Sequence, residues 1–409
     1  MKETMFLDKD QSATQAHMVL TGGGTGTSVL ARGIAEGMPD IDLTVIVAQA
    51  DDGGSTRILR EVLSDPSTPD QPLNFPAVGD PRKVTAALSP NRTAAAISEK
   101  RFGPADTHAT LRSAIGEMFE AVTSGERAIN ATWAAMQLDD AEALTHSLPS
   151  EEGQTRIDGH NLGNLVLAAM TKNSGSIVTA TRNYGRLLQL NNNHRVIPVT
   201  DTPHTLYLKD GDEVIQGQSL IDHHYVKNPE EAELWIDPHA TVHPDARIAL
   251  EDADLLVASP GSLWGSQGAV MCVNGVRDAI QNMKPGSSTV AIANLVQQEG
   301  TIGMDVSAYA QKLARYTGRE IDYVVYNNAP EALPADVTPV IYKPERHHVG
   351  HRVAIGAPLA APEALVYDAN DKIKQGRSSA VTDPHAVVTV LREEVLGQST
   401  TDTEARRAA

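Results

Sequence analysis

The chemistry this sequence could do sits in glycine-rich turns that close apolar runs. The first, in VLTGGGTGTSVLARGI (Val19–Ile34), places Gly22, Gly23, Gly24, Thr25 and Gly26 between a strand-like run ending at Leu20 and a helix-like run beginning near Ser28. Glycines let the backbone approach a ligand closely, and the amides and positive dipole end of the following helix then face an anion. No Gly-Lys-Ser/Thr closes the loop, so it is not a Walker A sequence. Thr27 stands where a Gly-x-Gly-x-x-Gly fingerprint needs its third glycine. The loop reads as a phosphate-binding turn that specifies no particular nucleotide; a tight turn needing glycine for steric reasons alone is the competing explanation.

Four further stretches repeat the theme. In VIVAQADDGGSTRILRE, Asp51 and Asp52 end a strand and Gly53, Gly54 and Ser55 lead into a helix. The carboxylates suit a hard cation or a ribose hydroxyl, and Arg57 and Arg60 suit phosphate oxygens. An acidic helix start stabilised by its dipole accounts for the same residues. In FPAVGDPRKVTAAL, Gly79-Asp80-Pro81 opens a helix with proline at a favoured early position. Arg82 and Lys83 add cations, and Asp80 is expected to join Asp52 around magnesium beside a phosphate. IDGHNLGNLVLAAM puts Gly159, His160, Asn161, Gly163 and Asn164 at the head of an apolar helix. Its N-terminus is expected to be free for a ligand oriented by Asn161 and Asn164, while His160 reads equally as a capping or core histidine. ADLLVASPGSLWGS ends a buried strand in Ser259-Pro260-Gly261-Ser262, whose hydroxyls and amides suit a second phosphate. Trp264 just beyond could stack on a flat group or pack in the core. RHHVGHR brings His347, His348 and His351 close together, but no helical face and no acidic or cysteine partner supports a zinc site.

The elements that must position these turns alternate along the chain. HMVLTG, IDLTVIVAQ, NHRVIPVT, ADLLVASPG, STVAIANLV and IDYVVYNN are nearly continuous apolar runs, as buried parallel strands should be. Helix-like segments follow several of them, so the sequence predicts an α/β, Rossmann-like layered fold with a mostly parallel sheet. The Ala-rich residues from about 91 to 152 predict a helical insertion, and HTLYLKDGDEVIQGQSLID predicts a small β-hairpin turning at Lys-Asp-Gly-Asp. Residues 1–17 and 398–409 read as flexible tails and residues 18–397 as a single domain. The charge of −18 sets the chain against nucleic acid and anionic membrane. The single cysteine, Cys272, excludes a disulfide framework within the chain. With no signal-peptide pattern at the start and no apolar run near the roughly 18 residues needed to span a bilayer, a cytoplasmic protein without membrane insertion is expected.

Taken in order, TGGGTGTSVL, ADDGGS with LRE, VGDPRK, GHNLGNLVLAAM, SPGSLWGS, IANLVQQEG and IDYVVYNN resemble the family that joins 2-phospho-L-lactate transferase of deazaflavin coenzyme biosynthesis with the bacterial gluconeogenesis factor. DPHAVVTVLREEV looks like that family's closing helix, so the resemblance runs from about His17 to Leu396. The transferase branch tends to read Pro-Ser-Asn-Pro where this chain has Ser-Pro-Gly-Ser. SPGSLW and GHNLGN are similar to the bacterial factor instead. That branch implies a regulatory protein that binds a UDP-sugar such as UDP-N-acetylglucosamine, supports growth on gluconeogenic carbon and normal cell shape, and forms a homodimer. The other branch implies a phosphotransferase moving a phospholactyl-type group from a nucleotide diphosphate donor to a deazaflavin hydroxyl, with Asp52 and Asp80 on magnesium. A nicotinamide-dependent oxidoreductase is disfavoured by the broken glycine fingerprint. The chain departs from the family where Gly-Gly-Ser-Ser-Gly-Arg-Leu-Arg becomes GGSTRILR, which introduces Arg57 and Ile58, and where Gly-Asp-Ile-Arg-Asn becomes GDPRKV, which introduces Pro81.

Overall fold

The computed structural model describes residues 16–65, 67, 73–148, 157–335, 337–343, 345, 351–361 and 382–397. Residues 1–15 of the N-terminal tail expected at 1–17, the tail expected at 398–409, and His347 and His348 lie outside them. The strands are β1 (His17–Gly22), β2 (Asp42–Val47), β3 (His194–Pro198), β4 (Thr205–Asp210), β5 (Glu213–Gln216), β6 (Glu233–Asp237), β7 (Leu255–Ala258), β8 (Ser288–Ile292), β9 (Ile321–Asn327) and β10 (His351–Ala357). The first helices are α1 (Gly24–Gly37), α2 (Gly54–Leu63), α3 (Gly79–Leu88), α4 (Arg92–Glu99), α5 (His108–Thr123), α6 (Ala131–Thr145) and α7 (Leu162–Ser174). They are followed by α8 (Ile177–Leu187), α9 (Gln218–Ile221), α10 (Pro244–Glu251), α11 (Ala269–Met271), α12 (Val276–Gln281), α13 (Val306–Thr317) and α14 (Pro384–Val390).

Seven strands form one sheet in the order β10-β9-β8-β7-β1-β2-β3, with every neighbouring pair parallel. The apolar runs are continuous because the sheet is covered on both faces: Met18 and Leu20 of β1 enter one core cluster and Val19 enters another. β3 is an edge strand, and Pro198, which has no N–H to donate, ends it. The expected hairpin forms as β4 and β5, turning at Gly211, and β6 adds to β4 to make a three-stranded antiparallel sheet. The edge strand β10 was not anticipated. Its exposed and half-buried residues lack the apolar run that marks the central strands. His351, discounted as a metal ligand, begins this strand and packs edge-on to Tyr342. β1 begins inside the expected N-terminal tail, because His17 is buried and bonds the Asp254 carboxylate and the Thr44 hydroxyl.

The helical insertion is α4, α5 and α6. These pack with α7 and α8 around their own core, which includes Leu111, Met118, Leu138 and Leu165. This explains why α7 reads as apolar all round: every residue from Leu162 to Thr171 is buried. α14 returns to cover α1. Side chains added at Gly33 and Gly37 would strike Pro384 and Val388, so the two helices meet at glycines. Among the described residues no helix is long and apolar enough to cross a membrane. Gly33→Val should push α14 off α1 and destabilise the chain by about 1–3 kcal/mol, read as a lower urea midpoint. An unchanged midpoint would mean that this contact does not hold the closing helix.

Candidate functional site

The strand order reverses at β1. The chain proceeds to β2 and β3 on one side and fills the other side with β7 to β10. In open α/β sheets, ligands bind in the crevice beyond the carboxyl ends of two such strands. Here the β1–α1 loop and the loop after β7 flank that crevice and touch each other. A Cβ on Gly22 would lie 2.5 Å from Thr27 Oγ1 and 2.9 Å from Gln267 Nε2, and one on Gly26 would strike the Pro260 carbonyl. Gly22 also sits at φ +144°, where side chains are strained. A buried network seals the crossing. Gln267 Nε2 donates to the carbonyls of Thr21 and Ser259, both at 2.8 Å, and its Oε1 accepts from the Thr21 hydroxyl at 3.0 Å. The hydroxyls of Thr27 and Ser259 meet at 2.6 Å. Asn294, after β8, accepts from Gly261 N–H at 2.8 Å and donates to its carbonyl at 2.7 Å.

The long helices that open on this crevice lack a side-chain cap, as do the short α9, α11 and α12 among the other described helices. α4, α6, α7, α8, α10 and α13 are each closed at the N-terminus by a side chain, for example Asn161, Ser176 and Asp305. The N-termini of α1, α2 and α3 have no side-chain cap on Gly23, Gly53 or Val78. Their first amides are the donors that such ends leave over. Two of them hold carboxylates instead: Gly24 N–H donates to Asp80 Oδ1 at 2.8 Å and Gly53 N–H to Asp51 Oδ1 at 3.0 Å. Gly24 takes φ +70°, Thr25 after it is exposed, and Lys83 Nζ donates to Thr25 Oγ1 at 2.9 Å. Across the crevice, Ser262 caps the π-helical segment Leu263–Gly268. It accepts from Gly265 N–H at 2.9 Å and donates to Asp222 Oδ1 at 2.5 Å.

The crevice is acidic. Burial, then the neighbouring Asp51 and Asp222, push the Asp80 carboxyl up from 3.8 to about 7, against the opposing pull of Lys83 and the Gly24 amide. The structure does not bring the expected pair of Asp52 and Asp80 together; the acids that act on Asp80 are Asp51 and Asp222. Asp52 faces the other way, accepting Ser219 N–H at 2.7 Å and closing against Gly217, and burial raises its pKa as well. Among the described residues no group of three or more His, Cys, Asp or Glu side chains is disposed to hold a metal.

Several residues expected to touch the ligand are engaged elsewhere. Arg60 is 1% exposed, and its guanidinium donates to the carbonyls of Asp51, Leu73, Phe75 and His204, so it braces the loops instead of reaching a phosphate. Arg57 points into solvent and pairs with Glu61 one turn on. Arg82 is buried, bonding Asn164 Oδ1 at 3.1 Å and pairing with Glu99. Asn164 donates in turn to Ser55 Oγ at 2.8 Å, and Asn161 caps α7. The α7 N-terminus expected to be open is thus closed, and Ser55, Arg82, Asn161 and Asn164 form a buried brace behind α2 and α3. Burial lowers His160 to about 4, with Arg101 adding to the effect, which fits a core histidine. Trp264 is buried and donates to the Gly300 carbonyl at 2.8 Å, the core outcome. Sequence reasoning missed Asp222, Gln267 and Asn294. Gln267 ends SPGSLWGSQ and Asn294 follows a strand in IANLV, so both sat beside motifs already noticed. A cavity of about 420 Å³ lies among α8, β3 and α10, lined partly by Thr181, His194 and Ile248. No uncapped helix end or glycine loop opens on it, so we place the site in the crevice.

The family model described as 2-phospho-L-lactate transferase CofD matches residues 18–347. The chain belongs to this family. A Bacillus subtilis relative named gluconeogenesis factor is 26% identical over 384 residues, covering 91% of this chain and 96% of the relative. A Thermotoga maritima relative that carries the same name provisionally is 29% identical over 313 residues, 76% of this chain and 78% of the relative. A crystal structure of a Bacillus halodurans protein shares the fold, with TM-score 0.64 at 23% identity over 92% of this chain and 99% of that one.

Two outcomes follow from the CofD-family crevice. Gln267→Leu removes the side-chain donor on the Ser259 carbonyl and the acceptor of the Thr21 hydroxyl and should cost about 1–3 kcal/mol in urea unfolding; a loss within error would mean that the loops do not depend on this amide. The Asp80 carboxyl keeps its proton to about 7 when folded and to 3.8 when unfolded. Between those values the unfolded chain binds fewer protons, so stability falls as pH rises through this window. Asp80→Asn, which keeps an acceptor for Gly24 N–H, should gain on the parent as pH is raised from about 5 to about 8. An equal difference at both pH values would show that Asp80 does not titrate there.

Proposed function

We propose that the crevice between β1 and β7 holds the diphosphate of a nucleotide sugar of the UDP-N-acetylglucosamine type, and that the protein acts as a binding and regulatory factor in carbon metabolism and cell shape. The observation that carries this reading is the convergence of the uncapped α1 and α2 N-termini on the crevice, facing the Gly261–Ser262 loop. Two phosphates need two sets of donors. The amides of Thr25 and Gly26 with Lys83 would supply one; for the other, the Gly261 N–H and the Ser262 hydroxyl would turn to the ligand from Asn294 and Asp222, which hold them in this structure. The relatives named gluconeogenesis factor support the regulatory role.

The acids of the crevice fix what must accompany the ligand. A diphosphate beside Asp51, Asp80 and Asp222 is repelled unless a cation comes with it. Magnesium is commonly held by one or two carboxylates plus phosphate oxygens, without an all-protein cage. Asp51 and Asp80, both in electrostatic reach of each other, fit that mode. When bound there, magnesium would offset the diphosphate charge. The raised pKa of Asp80 also favours a second reading, a transferase of the 2-phospho-L-lactate type. A carboxylate that titrates near neutrality is matched to accept the proton of an attacking deazaflavin hydroxyl.

The test is a thermal-shift series with UDP-N-acetylglucosamine, UDP-glucose, GDP and a deazaflavin, each with and without magnesium. A nucleotide sugar at about a hundred times its dissociation constant should stabilise by roughly 2.7 kcal/mol, several degrees. Gly24→Val and Lys83→Ala should lose that shift, and Asp51→Asn should lose its magnesium dependence. A shift confined to GDP and the deazaflavin would move the function to the transferase. No shift with any nucleotide would sink the crevice as a nucleotide site.

A further inference from the structure

One wall of the crevice is held by the chain's own charge. The short α9 links α2 to the loop after β7. At its start, Ser219 N–H donates to Asp52 Oδ1 at 2.7 Å. Ile221 is fully buried in the core cluster that also contains Leu263 and Trp264, which anchors the turn. Asp222 closes its end. The two oxygens of Asp222 are both engaged: Oδ2 accepts from Gln218 Nε2 at 2.8 Å, and Oδ1 accepts from the Ser262 hydroxyl at 2.5 Å.

The Ser262 contact has the short length of a charge-assisted bond, which is stronger than a bond between neutral groups. A hydroxyl has one proton to donate. The Ser262 oxygen already accepts from Gly265 N–H at 2.9 Å, and its proton goes to Asp222. A phosphate oxygen can use this hydroxyl as a donor only by taking it from Asp222. The backbone is shaped for the existing contact. A Cβ on Gly265 would lie 2.5 and 2.8 Å from the two Asp222 oxygens and 2.8 Å from Gln218 Cγ. A glycine there lets the carboxylate lie against the first turn of the Leu263–Gly268 segment. Asp222 is in electrostatic reach of Asp80. It is not a third metal ligand beside Asp51 and Asp80, because among the described residues no three acids gather to hold an ion.

We infer, on the reading of the crevice as a diphosphate site, that Asp222 is an internal competitor for the second phosphate. Its carboxylate stands on the Ser262 hydroxyl in place of a phosphate oxygen, and the ligand binds by displacing it. The displaced carboxylate keeps Gln218 as its donor. Affinity is then reduced by the fraction of molecules in which the hydroxyl is free. A carboxylate that instead served the ligand, for example by accepting from a sugar hydroxyl, would act with the opposite sign: its removal would weaken binding.

UDP-N-acetylglucosamine with magnesium is titrated calorimetrically into the full chain. Asp222→Ala should bind it roughly tenfold more tightly than the parent, a gain of about 1.4 kcal/mol. Gly265→Ala keeps every charge and pushes the carboxylate off Ser262 by contact alone, so it should bind at least roughly threefold more tightly. In a Ser262→Ala background there is no hydroxyl to release, and Asp222→Ala should add less than roughly twofold. Equal or weaker binding by Asp222→Ala overturns the inference. So does binding like the parent's by a Gly265→Ala chain that is folded by circular dichroism. A gain of the same size in the Ser262→Ala background also overturns it, because that is plain charge repulsion. Binding by Asp222→Ala where the parent shows none upholds it. The two readings fail separately: binding by the parent with no gain in the variants sinks the competitor alone, whereas no binding by the parent or by either single variant sinks the diphosphate site and the competitor with it.

Discussion

The amide of Gln267 joins the two halves of the sheet at the level where ligands are expected to bind. The strand pairing of β1 and β7 ends at Thr21 and Ala258, and beyond it Ser259 still donates its N–H and its hydroxyl to the Thr21 carbonyl before the two loops part. Gln267 fills that gap, with its N–H groups on the carbonyls of Thr21 and Ser259 and its oxygen on the Thr21 hydroxyl. A buried polar group left without a partner costs about 1–3 kcal/mol, so one side chain that satisfies the Ser259 carbonyl and the Thr21 hydroxyl together is a strong constraint on register. The glycines follow from it. Loops drawn this close leave no room for a Cβ at Gly22 or Gly26. Thr27 turns inward to Ser259, Gly26 lies against the Pro260 carbonyl, and the Gly24 amide before them is held by Asp80. The same packing that closes the sheet leaves the α1 end without a side-chain cap of its own, and Asp80 from α3 supplies the partner of its first amide.

The electrostatics of that opening run against simple expectation. A carboxylate at a helix N-terminus is ordinarily stabilised in its charged form. Asp80 receives that benefit from the Gly24 amide and from Lys83, yet its pKa rises. Burial beside Asp51 and Asp222 outweighs both. The crevice thus holds donors suited to an anion and carboxylates that repel one. An anion arriving alone worsens the repulsion, whereas an anion with a divalent cation relieves it, because the cation takes the carboxylates and frees the amides. This is why the choice between a metal-assisted and a metal-free ligand turns on Asp51 and Asp80, and why the fold, which serves either, does not decide it.

Much of the frame was legible because its signals are local. Apolar runs named six of the seven strands in the parallel sheet, and the glycine turns at Gly22 and Gly261 marked the two loops that meet. β10 escaped because an edge strand with half-exposed faces carries no apolar run. The errors at the site share one cause: charge type was read without direction. Arg60 and Arg82 are cations within a turn of the glycine loops, but burial turns them onto carbonyls, Glu99 and Asn164. Asn161 and Asn164 looked like ligand-orienting amides, yet a helix buried on all sides needs its N-terminus capped by its own residues. Asp51 and Asp52 lie in the loop between β2, which stops at Val47, and α2, so no strand alternation fixes their directions and spacing alone could not say which of them faced Asp80. Asp222 lies far from the glycine motifs in sequence and reaches Ser262 only through the turn of α9.

That distinction between rim and frame bears on where this chain departs from its family. Arg57 and Ile58 replace a glycine and an arginine of the family pattern, and both side chains face solvent on α2, with Arg57 held by Glu61. Arg60, the arginine that the pattern keeps, is the one that ties α2 to the strand-end loops through four carbonyls. Pro81 falls in the first turn of α3, where no intrahelical N–H bond is lost. Asp80 before it and Lys83 after it keep their contacts with Gly24 and Thr25. The substitutions therefore alter the cations at the rim of the crevice and leave its amide donors and its carboxylates in place. The cation opposite the glycine loop is Lys83, a flexible point charge, and an ammonium at that position accepts more ligand geometries than the fixed fork of an arginine would.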